Sequence, residues 1–86
     1  MSLRDAIEQK LRASLAPSDL IVTDDSSQHA GHAEAGNGGH YSVVIAAERF
    51  RGQSLLERHR LVYEALAPLR QDIHALAIRA LLPGDL

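Results

Sequence analysis

Five histidines and no cysteine set the terms of any chemistry this 86-residue chain can perform. Imidazole nitrogens are good ligands for zinc and iron. The lack of cysteine removes disulfides, thiolate ligands and thiol nucleophiles together. A metal centre begun on these histidines must therefore recruit donors from elsewhere. His29 and His32 form a His-x-x-His pair in a polar stretch, and two nitrogens leave a tetrahedral site half empty; solvated loop histidines are the alternative. His74 heads the last apolar run, where it serves either as a metal ligand or as a strand-end side chain bonded to a backbone carbonyl. His40 follows a glycine pair at the start of the middle apolar run and reads first as a strand cap, second as an additional ligand. His59 falls on the apolar face of a helix and reads as a hydrogen-bonded core histidine. Its neighbours Arg58 and Arg60 then point outward and, with Arg51, offer contacts to an acidic partner or to phosphate, or simply a solvated face.

No catalytic constellation accompanies them. Ser26 and Ser27 lie near histidines, but no Gly-x-Ser-x-Gly elbow is present. Asp24 and Asp25 are adjacent in a polar stretch and read as turn caps. Gly36-Asn37-Gly38-Gly39 lacks the lysine of a phosphate-cradling loop. The chain does not read as an enzyme.

The elements that must position these residues are legible from spacing. Ser2 with Asp5 resembles a capping box, and Leu3, Ile7, Leu11 and Leu15 repeat at helical spacing up to Pro17. Leu20 to Thr23 reads as a short strand. Asp24 to Gly39 has no periodicity and is long for a loop in so small a domain, which marks it as a functional segment or a disordered one. Tyr41 to Ala47 reads as a central strand, apolar on both faces. Ser54 with Glu57 opens a second helix that runs to Pro68, with Leu55, Leu56, His59, Val62, Tyr63 and Leu66 on one face. His74 to Leu81 is a third strand. Strands joined through a helix should be parallel, with a right-handed crossover. The expected fold is α+β, with order α-β-β-α-β and a three-stranded mixed sheet carrying its helices on one face. Residues 1–86 form one domain.

Composition narrows the partners. Apolar residues make up 45% of the chain, enough for a modest core, and the net charge of −2 does not advertise a nucleic-acid surface. Tyr41, Phe50 and Tyr63 are too few for a base-stacking platform. No apolar run approaches the roughly 18 residues of a membrane span, and the first residues lack a secretory pattern. A soluble, cytoplasmic protein is expected.

Several blocks, in order, carry a family likeness: Asp25-Ser26-Ser27-Gln28-His29-Ala30-Gly31-His32, Gly39-His40-Tyr41-Ser42-Val43-Val44-Ile45, Arg49-Phe50-Arg51-Gly52, Arg58 to Leu66, and Ile73-His74-Ala75-Leu76-Ala77-Ile78. Together they resemble the BolA family, bacterial type. The resemblance implies a fold related to the class II KH domain, and a role in iron–sulfur cluster maturation or iron regulation. It implies a monothiol glutaredoxin as partner. Thiolates from that partner and from glutathione would complete a [2Fe–2S] cluster, none being expected on the isolated chain, which should be a monomer or weak homodimer. It makes His74 a cluster ligand together with a loop histidine, His29 in preference to His32. Some family members are described as transcriptional regulators, so DNA is the alternative partner. Two departures stand out. The family often continues into an acidic helix, whereas this sequence stops at Leu86, and the basic Gly-x-x-Gly loop of KH domains is missing.

Overall fold

The computed structural model describes residues 2–26 and 39–86. Ser2 caps the first helix: its hydroxyl accepts from the Asp5 N–H at 3.1 Å. Helix α1, Leu3–Leu15, buries Ile7, Leu11 and Leu15. It stops at Ala16, whose N–H still reaches the Arg12 carbonyl at 3.2 Å while its left-handed backbone (φ 46°) turns the following chain out of the helix. Pro17 follows and prevents continuation.

Strand β1 (Asp19–Asp24) pairs antiparallel with β2 (Gly39–Ala46), which pairs in parallel with β3 (Ile73–Leu81). The sheet order β1-β2-β3 puts β2 in the centre, as expected. Alternation selects the inner face: Val22, Tyr41, Val43, Ile45 and Ala80 are buried, and they pack with α1 and Phe50 in one core. The opposite face of β2 is only half buried at His40, Ser42 and Val44. Helices cover one face. Among the described residues, no helix is long and apolar enough to cross a membrane.

Helix α2, Leu55–Ala65, begins with the capping box expected of Ser54 and Glu57. Its packing face, however, differs from the one read off hydropathy. Val62 and Leu66 are buried, but Leu55, Leu56 and Tyr63 are 64%, 69% and 54% exposed. The helix instead packs through Arg58, Leu61, Val62, Ala65 and Leu66, a stripe at helical spacing that includes a charged residue. Arg58 belongs there because its Nη1 donates to the Ala80 carbonyl and its Nε to the Gln53 carbonyl, each at 3.1 Å. A hydropathy pattern cannot reveal a guanidinium satisfied by main chain. A short 3-10 turn, Ala67–Asp72, then leads into β3.

Candidate imidazole site

The site assembles where β2 begins. Gly39 pairs with Ile73 but His40 pairs with Ala75, so His74 is the extra residue of a bulge in β3. Bulges often re-aim a side chain at a sheet rim. Here the His40 and His74 rings come to 5.0 Å between centroids, tilted by 44°. His74 is exposed and His40 half buried. Thus His40 lies inside β2 and beside His74, rather than merely ending a strand.

The backbone of His40 is held on both sides. Its N–H donates to Ser26 Oγ at 3.0 Å, and its carbonyl accepts from the Asp25 N–H at 2.7 Å. Ser26 is itself fixed by its N–H donating to Asp24 Oδ1 at 2.9 Å. That hydrogen bond to the charged form holds the Asp24 carboxyl below its ordinary range. Ser42 donates from its hydroxyl to the Asp25 carboxylate. Gly39 completes the clamp, since a Cβ there would stand 2.3 Å from Tyr41 Cε2. The Tyr41 ring is buried, which pushes its phenol above its ordinary pKa, with the Asp24 charge adding to the effect.

Other predicted site residues fall elsewhere. His29 and His32 lie outside the described residues, in the segment that joins Ser26 to Gly39. His59 is half buried, and its buried Nε2 has no hydrogen-bond partner among the described residues, in contrast to the bonded core histidine expected. Arg58 turns inward to β3, not outward. Arg51 pairs with Glu48 through Nε, and that contact holds the Glu48 carboxyl below its usual range. Arg60 is exposed beside Glu57 and Glu64.

Sequence reasoning missed a cavity of about 420 Å³ that opens beside His74, between the C-terminal end of α2, the following turn and β3. Leu66, Ile73 and Leu76 give it an apolar lining, and Tyr63 and Arg70 stand exposed around it. No sequence signal pointed to it, because Tyr63 reads from hydropathy as part of the packing face of α2, and only the fold leaves it exposed. Among the described residues, no group of three or more histidine, cysteine or acidic side chains could hold a metal ion. The described part of the chain therefore brings two imidazoles together, and not a complete coordination shell.

Comparison with known proteins supplies the wider setting. The family model described as BolA-like protein matches residues 11–85. The DNA-binding transcriptional regulator BolA of Escherichia coli is 43% identical over 79 residues, covering 91% of this chain and 73% of that protein. BolA-like protein 1 of Mus musculus is 44% identical over 81 residues, covering 93% of this chain but only 58% of the mouse protein. The solved BolA domain of SufE1 from Arabidopsis thaliana superposes with a TM-score of 0.84 at 40% identity, over 100% of this chain and 98% of that one.

Proposed function

The chain belongs to the BolA family, and on that premise we propose that it is a non-enzymatic adaptor that partners a monothiol glutaredoxin and shares a [2Fe–2S] cluster with it. The observation that carries this reading is the approach of His40 and His74 to 5.0 Å at one end of the sheet. The donor set fits such a group in a specific way. Two neutral imidazoles can serve one iron of a two-iron cluster, as in Rieske centres, and cysteine thiolates can serve the other. This chain has the first kind of donor and none of the second. Thiolates from the partner and its glutathione supply the rest.

In this reading His74 is one ligand, and the second comes from His40 or from the loop histidines His29 and His32. The clamp of Asp24, Asp25 and Ser26 on the His40 backbone fixes where the loop leaves and re-enters the fold. Preorganised ligands lose less entropy on binding than mobile ones. When bound, the cluster supplies one-electron chemistry, or is itself the cargo passed on in cluster maturation.

The test is to mix the chain with purified glutaredoxin, glutathione, iron and sulfide, and to record absorption and circular dichroism. A spectrum distinct from the glutaredoxin homodimer is expected. Identical spectra for wild type and His74→Ala would sink the ligand assignment.

A second reading, binding to DNA, is favoured by the name carried by the Escherichia coli relative. Exposed arginines such as Arg60 and Arg79 would meet phosphates. Affinity that falls steeply with salt is its signature, because each phosphate contact releases counterions.

A further inference from the structure

Helix α2 leaves three large apolar side chains in solvent. Leu55, Leu56 and Tyr63 are each more than half exposed. Residues seven apart share a helix face, so Leu56 and Tyr63 form one stripe about 10 Å long at roughly 1.5 Å per residue. Tyr63 is also a wall of the cavity lined by Leu66, Ile73 and Leu76. The stripe therefore leads into the cavity as a track of exposed apolar side chains, with His59 and Arg60 between Leu56 and Tyr63. Exposed apolar side chains with a polar rim are the mark of an interaction site.

The charge at the cavity has one sign, while Glu57 and Glu64 flank the track further up α2. Arg70 lines the cavity, no acidic residue does, and the Arg70 guanidinium makes no ion pair among the described residues. An exposed arginine next to an apolar floor can bind a carboxylate in bidentate fashion.

We propose that this track is a docking site for a peptide segment of a partner protein, one that presents a bulky apolar side chain beside a carboxylate. The apolar side chain enters between Leu66, Ile73 and Leu76, the carboxylate meets Arg70, and the rest of the segment lies over Tyr63 toward Leu56. A small carboxylate would fill the cavity but leave Leu55 and Leu56 in water. A nucleic-acid strand is disfavoured, since the lining offers a single arginine and α2 also carries Glu57 and Glu64. The inference goes beyond the cluster reading, because such a peptide binds with or without iron. Since His74 lines the same cavity, a docked segment abuts the imidazole pair.

The experiment is to pan short random peptides displayed on phage against the immobilised full chain, with counter-selection on the Arg70→Glu variant. Arg70 has no side-chain ion pair to lose, so the variant should fold, which circular dichroism checks. Enriched peptides should carry an aromatic or branched aliphatic residue within two positions of Asp or Glu. The best of them, synthesised, should shift backbone amide signals between Tyr63 and Leu76. Its affinity should fall about tenfold for Arg70→Glu, the scale of one charged contact, and also for Leu56→Ser, while Arg70→Lys retains most of it. No enrichment over the variant overturns the proposal. So does a preference for basic peptides, a footprint elsewhere on the fold, or displacement of the peptide by a short DNA duplex.

Discussion

The Arg58 guanidinium donates to the carbonyl of Ala80 across 3.1 Å, and this fastens α2 to β3. Since β3 is an edge strand, the bond also satisfies a carbonyl that no further strand can reach. Hydrogen bonds from charged groups contribute about 1.5–3 kcal/mol each when well sheltered. Arg58 is only half buried, so Arg58→Leu, which keeps apolar bulk, should cost about 1–2 kcal/mol after solvent screening. Urea unfolding with an unchanged slope reads this directly. An unshifted midpoint would show that the two carbonyl contacts add nothing.

Gly39 is required by the ring beside it and not by its own dihedrals. A Cβ at this position would overlap the buried Tyr41 ring, which would have to shift within the core to make room. Gly39→Ala should therefore destabilise by about 1–3 kcal/mol, the usual range for overpacking. The penalty should shrink when Tyr41→Leu is present, because the overlapping atoms are gone. A double-mutant cycle measures the coupling. Strictly additive effects would mean that the ring is not the cause.

Tyr41 also sets an alkaline limit. Burial raises its phenol above the ordinary value near 10, so the folded state holds that proton more tightly than the unfolded chain does. The stability this provides is complete below the unfolded pKa and declines as pH rises from there toward the folded value. In a Tyr63→Phe background, absorbance near the tyrosinate band reports Tyr41 alone. Its midpoint should lie above that of the urea-unfolded protein, and unfolding midpoints should drop on the alkaline side. Coincident midpoints would contradict the assignment.

Most of the fold was written in local spacing. Leu3, Ile7, Leu11 and Leu15 fixed one helix, and Ser54 with Glu57 fixed the start of the other. The apolar run from Tyr41 marked the central strand, of which Tyr41, Val43 and Ile45 turn out to face the core. The orientation of α2 was hidden, because its buried stripe includes Arg58 while Leu55 and Leu56 stay outside. Charge and burial do not coincide there, and hydropathy alone assumes that they do. The pairing of His40 with His74 was hidden for a different reason. It depends on a one-residue slip between β2 and β3, and a register slip leaves no mark in composition. The histidines themselves were conspicuous; their partnership was tertiary.

That partnership yields the last prediction. If His74 holds iron together with a second imidazole of this chain, then replacing either should change the heterodimer's circular dichroism to a similar degree. His74→Ala is therefore compared with His40→Ala, His29→Ala and His32→Ala in turn, and the second ligand is the one whose spectrum departs as far as that of His74→Ala. His74→Cys should go further: it keeps a donor at the bulge but exchanges imidazole for thiolate. Imidazole ligation raises the potential of a two-iron cluster relative to all-thiolate ligation. The cysteine variant should therefore retain a cluster while its reduction potential falls, by on the order of a hundred millivolts or more. Protein-film voltammetry measures that shift. A potential equal to wild type, with the cluster intact, would place the iron on other residues and leave the His40–His74 pair as packing.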